Sequence, residues 1–194
     1  MILLLSSCLL ASCASNDEVL LAKLRKEMLP VLTMTKGYMV LDLNQLTDFP
    51  WDSVYAFHGE EGGEYVNSTI GFRWDGPAVP NLHQRLLFVH QGAVVAYVDC
   101  NEEEGVYNAQ KNWPLPIFLY KCADKAHGIA RREAKFATFR ACDRGYISYP
   151  LIPLKCLANS PDYQALLARG CADLPAQLAR NKRLEDSVRQ VTKN

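Results

Sequence analysis

The chain has no excess of either charge: its 194 residues carry 21 Lys and Arg against 21 Asp and Glu. A polyanion is held by a surplus of basic side chains gathered on one face, so this balance removes DNA and RNA from the partners to expect. Nor is there an apolar run approaching the roughly 20 residues that carry a helix across a bilayer. Internal repeats and low-complexity linkers are missing, which leaves one folded unit as the organisation to expect. Catalytic signatures are lacking as well. There is no G-x-S-x-G elbow, no S-x-x-K, no H-E-x-x-H, and no glycine-rich phosphate cradle behind a strand. No two cysteines stand in C-x-x-C spacing, so neither a zinc knuckle nor a thioredoxin-like redox pair has support. What is present is 49% hydrophobic residues with both charge signs interspersed. That is enough for a core covering about 70% of the unfolded surface, and it excludes wholesale disorder.

Charge is also absent from the side chains of Met1 to Ser12, where Ile2, Leu3, Leu4, Leu5, Leu9, Leu10 and Ala11 form a short apolar stretch. The run Leu10-Ala11-Ser12-Cys13 resembles the lipobox of bacterial lipoproteins, a leucine three residues before a cysteine with small residues between. The resemblance implies a signal peptide at residues 1–12, cleavage before Cys13, and a covalent lipid on the Cys13 sulfur and amino terminus. Each buried CH₂ of such an anchor contributes about 0.8 kcal/mol, so one acyl chain holds marginally and two or three hold firmly. A second match, Leu5-Ser6-Ser7-Cys8, leaves too few residues ahead of it for an apolar core of export length. The competing reading makes Met1 to Ala14 an ordinary buried strand or helix. Ala14 and Ser15 after the cysteine, with no Asp, imply by the same resemblance a protein passed to the outer membrane, facing the periplasm.

Residues 13–194 then form a single periplasmic domain with five further cysteines, Cys100, Cys122, Cys142, Cys156 and Cys171. In an oxidising compartment cysteines within bonding geometry form disulfides. The natural expectation is two bridges and one leftover thiol. Spacing alone does not separate the possible pairings, and buried unpaired thiols are the alternative.

The fold class expected is α+β. Ser15-Asn16-Asp17-Glu18 can form a capping box, opening a helix whose Leu20, Leu21, Leu24 and Met28 share one stripe and which Pro30 ends. With Cys13 acylated, that helix starts close to the lipid surface. From Tyr38 the apolar period becomes two, and strands are expected at Tyr38–Leu43, Ser53–Phe57, Thr69–Trp74, Arg85–His90, Ala93–Val98, Leu115–Cys122 and Lys135–Cys142. Gln91-Gly92 joins two of these as a two-residue hairpin. The connections are mostly too short for helical crossovers, so an antiparallel sheet of about five to seven strands is expected. Two carboxy-terminal helices follow. Ser160-Pro161-Asp162 opens the first, which Gly170 stops. Asp173 and Pro175 open the second, whose surplus of Arg and Lys reads as a solvated face.

The segments Leu41-x-Leu43, Leu46-Thr47-Asp48-Phe49-x-Trp51-Asp52-x-Val54-Tyr55-x-Phe57, Ile70-Gly71-Phe72-x-Trp74 and Leu87-Phe88-Val89-x-x-Gly92-x-Val94-Val95-x-Tyr97-Val98 resemble a group of small uncharacterised bacterial proteins, often lipoproteins. The likeness covers about residues 40–107, and His58-Gly59 stands where that group usually has Pro-Tyr. It implies location and fold and brings no activity. Trp51-Asp52 reads as a strand-entry device, the indole packed on the sheet and the carboxylate accepting from backbone N–H groups.

Candidate chemistry is thin. His58-x-Glu60-Glu61-x-x-Glu64 gathers metal-capable groups, but in a glycine-rich stretch that reads as a solvated acidic loop. Asp99-x-Asn101-x-Glu103 begins like a calcium loop, yet Glu104 stands where glycine is required and Gln110 where a bidentate Glu belongs. Cys122 and His127 are neighbours in sequence, which does not make a thiolate–imidazole pair. His83, His90 and His127 read as surface residues. The function expected is that of a membrane-anchored envelope lipoprotein, a binding or structural module. It would reach the membrane through its lipid, contact an envelope protein or small ligand, and need no cofactor or metal. The alternative is a periplasmic enzyme using a Cys/His or acidic-loop site.

Overall fold

A computed structural model describes residues 16–102, 116–119, 128–143 and 146–172, with positions 175, 176, 179, 180, 182 and 183. The chain is α+β. Helix α1, Glu18–Met28, buries Leu20, Leu21, Leu24 and Met28 on one stripe. Its N-cap is Asp17, whose carboxylate accepts the Leu20 N–H at 2.8 Å; Ser15 lies outside the described residues. Pro30 ends the α-helix and opens a 3-10 turn, Leu29–Thr33, because a first turn does not use the N–H that proline lacks.

Four strands form one antiparallel sheet: β2 (Ser53–His58), β3 (His83–His90), β4 (Ala93–Asn101) and β6 (Ile129–Ala130), in the order β4-β3-β2-β6. The hairpin turn is as its sequence predicts, with Gln91 at φ 48° and Gly92 at φ 74°, the two left-handed residues of a type I′ turn. One irregularity follows it. Phe88 pairs with Ala96 and Val89 with Val94, so Val95 is a bulge residue and the pairing beyond it shifts by one. That shift sets Arg85 opposite Asp99.

The second sheet was not foreseen as a separate layer. It orders β1 (Met39–Asp42), β7 (Lys135–Thr138), β9 (Tyr146–Pro153) and β5 (Pro116–Phe118), with β8 (Ala141–Asp143) also on β9. The single strand expected at Lys135–Cys142 is two, broken at Phe139-Arg140. The expected antiparallel rule fails at one place, since β5 runs parallel to β9. Strand β9 itself escapes the sequence patterns because Pro150 and Pro153 argue against a central strand. The structure accommodates Pro150 in a gap: β8 stops pairing at Ser148 and β7 starts at Leu151. The missing donor therefore faces the break at Phe139-Arg140 instead of a ladder partner.

Thr69–Trp74, expected as a strand, is not one. Thr69 and Ile70 finish helix α3, Gly63–Ile70, and Gly71 caps it at φ 83°, its N–H bonded to the Asn67 carbonyl at 2.9 Å. Val66 and Ile70, four apart, are the buried face. A short helix α2, Leu43–Leu46, follows β1. At the far end α4, Leu154–Asn159, precedes α5, Pro161–Arg169, which Ser160 caps and Gly170 stops as expected. Most of the second carboxy-terminal helix lies outside the described residues.

The main core joins α1, one face of the four-stranded sheet and side chains of β1, β7, β9 and β5. The other face of the four-stranded sheet packs Phe57, Leu87, Val89 and Val94 against Val66 and Ile70 of α3. Covered on both faces, β3 is buried continuously from Gln84 to Val89. A third cluster packs α4 and α5 under the second sheet, around Phe139, Ile152 and Leu157. Gln84 ties the two sheets: its side-chain oxygen accepts the Phe118 N–H at 2.6 Å and its nitrogen donates to the Phe118 carbonyl at 3.5 Å.

Gly59, after β2, has no room for a side chain. A Cβ there would meet the Pro80 carbonyl oxygen at 2.7 Å and the Leu82 nitrogen at 2.9 Å, both backbone atoms. Gly63 meets nothing within 4 Å and opens α3. Gly59→Ala is therefore expected to cost about 1–3 kcal/mol, whereas Gly63→Ala is neutral or stabilising by up to about 1 kcal/mol. Urea titration of both variants checks the contrast; equal midpoints would contradict the close approach at Gly59.

Candidate functional site

The polar architecture concentrates in three places. At the first, the entering chain is fastened to the edge of β4. Asn16 forms a parallel bridge with Tyr97, the Asp17 N–H donates to the Tyr97 carbonyl at 2.8 Å, and the Asp99 N–H donates to the Asn16 side-chain oxygen at 3.0 Å. Directly behind this junction lies Arg85, a guanidinium with 1% of its side chain exposed. It donates to both oxygens of Asp99, at 2.6 and 2.7 Å. Its remaining donors reach the Pro77 and Ala78 carbonyls. The Tyr97 ring lies under it at 4.2 Å and the Trp74 ring at 5.7 Å, a cation enclosed by π faces. One side chain thus holds the extended segment after α3, β3 and β4 together. Asp99, read as a candidate calcium ligand and set aside, is fully committed to Arg85.

The second place is the neighbouring rung of the same sheet, where His58 pairs with Gln84 and Gln84 with Cys100. His58 Nδ1 lies 3.2 Å from Glu102 Oε1 and 3.3 Å from the Gln84 side-chain nitrogen. Gln84 uses its oxygen on Phe118, so its nitrogen is a donor: Nδ1 donates to Glu102 in one tautomer and accepts from Gln84 in the other. The first, a carboxylate-oriented imidazole, leaves Nε2 to accept a proton or a ligand. The Glu61 carboxylate accepts the His58 backbone N–H at 2.9 Å, while Glu60 and Glu64 are exposed. The stretch is a turn leading into α3, with Glu61 holding the backbone at His58 and Glu64 in the first helical turn. Among the described residues no three His, Cys, Asp or Glu side chains are grouped to hold a metal. Glu102 is the partner that sequence spacing missed, since it reaches His58 only through the pairing of β2, β3 and β4.

At the third place Trp51-Asp52 behaves as the strand-entry device its sequence suggests. Trp51 is buried, its indole N–H donates to Thr47 Oγ1 at 2.8 Å, and Phe88 meets it edge-on. Asp52 accepts the Gln91 N–H at 2.6 Å and faces His90 Nδ1 at 3.1 Å. The Gln91 N–H, then His90, hold the Asp52 carboxyl below the usual carboxylate range.

The cysteines divide. Cys142, on β8, is bonded to Cys171, just past α5, and Cys156 is also disulfide-bonded. Cys100, offered as a bridge candidate, is instead a free thiol. It points from β4 into the main core, and burial pushes its pKa up to about 12, which leaves it inert at neutral pH. Cys13, Cys122 and His127 lie outside the described residues. Among those described, no helix is long and apolar enough to cross a membrane.

Fold and site together describe a disulfide-bearing α+β body whose buried polar groups brace the sheets and clamp the incoming chain. Comparison with protein-family models, curated proteins and solved structures finds no match.

Two outcomes follow from these geometries. Arg85→Met strands the nearly buried Asp99 charge and is expected to cost roughly 3–5 kcal/mol, with part of the loss recovered in Arg85→Met/Asp99→Leu; chemical denaturation reads both, and a single variant as stable as wild type contradicts the clamp. Asp52 has its pKa lowered by folding, so the stability it contributes is present above its unfolded value and lost as pH falls through the folded one. The Tm difference between wild type and Asp52→Asn should accordingly exist at neutral pH and close in acid; a difference unchanged by acidification contradicts it.

Proposed function

We propose that this protein is a bacterial envelope lipoprotein, anchored by a covalent lipid on Cys13 and exposing residues beyond it to the periplasm as a binding or structural module. The observation that carries the reading is Leu10-Ala11-Ser12-Cys13, followed after only two residues by Asn16, where the chain is already hydrogen-bonded to β4. A tether of three residue steps spans at most about 10 Å, so the body hangs directly from its anchor. The Cys142–Cys171 disulfide supports an oxidising compartment. Among the described residues the buried polar groups of Arg85 and Gln84 are spent on bracing, in the Arg85–Asp99 and Gln84–Phe118 bonds, and this supports a structural or binding module.

Intact mass spectrometry of protein extracted from membranes is the test. The expected species begins at Cys13 and carries diacylglycerol plus an amino-terminal acyl chain, and it enters the detergent phase on Triton X-114 partition. Cys13→Ser should stay in the aqueous phase. Wild-type protein that begins at Met1 and remains aqueous overturns the reading.

A further inference from the structure

Helix α1 has a second face. Its buried stripe is Leu20, Leu21, Leu24 and Met28; opposite it, Val19, Ala22, Lys26 and Leu29 follow one another at spacings of three and four and therefore form one outward row. All four are exposed, Val19 at 65% and Leu29 at 40%. The two acids, Glu18 and Glu27, flank the row, which contains no carboxylate. Beside Val19 opens a shallow cleft of about 240 Å³ of mixed lining, with Leu46 and Phe49 on its wall next to Asp17 and the Lys23–Asp48 ion pair. An outward row of apolar side chains with one long-stemmed lysine is what an interfacial helix presents to lipid, the lysine reaching up to the phosphates.

We infer that this outward face of α1 rests on the bilayer into which the Cys13 acyl chains insert. The inference rests on the lipoprotein reading and adds an orientation to it. Three links set the geometry. Cys13 is three residues from Asn16, a span of at most about 10 Å. Asn16 and Asp17 are fixed to the β4 edge, so no flexible stalk intervenes. The helix begins at Glu18 and, at about 1.5 Å per residue, extends some 16 Å from that fixed point. Alone, so small an apolar row binds lipid weakly; a covalent anchor this close makes its contact intramolecular and raises its effective concentration. The face of the four-stranded sheet that packs on α3, opposite the face covered by α1, would then be presented toward the periplasm.

Photocrosslinking of the full lipidated chain tests it. The photoreactive residue p-benzoylphenylalanine replaces Val19 in one variant, and Val40 or Leu82, similarly exposed at 48% and 55%, in two controls. Each is reconstituted in phosphatidylethanolamine–phosphatidylglycerol liposomes, irradiated and analysed by mass. Position 19 is expected to yield at least about five times the phospholipid adduct of either control. Val19→Glu/Leu29→Glu, left photolabelled at Lys26, should lower the adduct relative to Lys26 labelling alone. An acyl-bearing protein with equal adducts at all three positions overturns the orientation and leaves the anchor standing. A protein without acyl chains on Cys13 overturns both.

Discussion

A single buried cation, Arg85, sits where the parts of this protein meet. Taking a guanidinium out of water costs several kcal/mol unless its charge and donors are answered. Here Asp99 takes two donors, the Pro77 and Ala78 carbonyls take others, and Tyr97 and Trp74 supply π faces. Satisfying it obliges β4 to carry Asp99 at one register, the segment after α3 to fold back over the sheet, and Tyr97 to lie flat beneath. The Val95 bulge is what delivers that register. Without it the hairpin would place Val98, not Asp99, across from Arg85, because an unbulged ladder continues the count set at His90 and Ala93.

The same strand pair transmits the arrangement to the chain's entry point and to the second sheet. Asp99 offers its backbone N–H to Asn16 while its carboxylate holds Arg85, so the junction near the proposed anchor and the buried clamp share one residue. One position before Arg85, Gln84 turns to the other face and pairs with Phe118 as a strand neighbour would. A buried amide satisfied on both its atoms specifies a single way for the layers to meet. Leu86, Cys100 and Phe118, the neighbours of Gln84 in the strand, across the ladder and in the second sheet, belong to the main core.

Local patterns made a good part of this legible. The α1 stripe, the hairpin at Gln91-Gly92, the Ser160 cap, the Gly170 stop and the Trp51-Asp52 device are each decided within a few residues by dihedral preference or hydrogen-bonding reach, and each is found where its residues indicate. Errors arose where a residue's role is settled far away. No strand is expected at Tyr146–Pro153, because the break at Phe139-Arg140 that accommodates Pro150 is invisible locally. Thr69–Trp74 has strand-like composition, yet Val66 and Ile70 gain burial against the back of the four-stranded sheet only as a helix.

Composition and spacing, taken alone, determined the α+β class, the buried stripe of α1, the cap and stop of α5, the turn type and the motif at Cys13, because periodicity, capping and turn dihedrals are properties of neighbouring residues. Tertiary structure alone decided that there are two sheets, that β5 runs parallel, that Cys100 stays a thiol while Cys142 and Cys171 bond, and that the His58 ring meets Glu102 while Glu61 takes only its backbone N–H. Those outcomes depend on which strands lie next to each other and at what register, and the free energy that selects them comes from contacts between residues tens of positions apart.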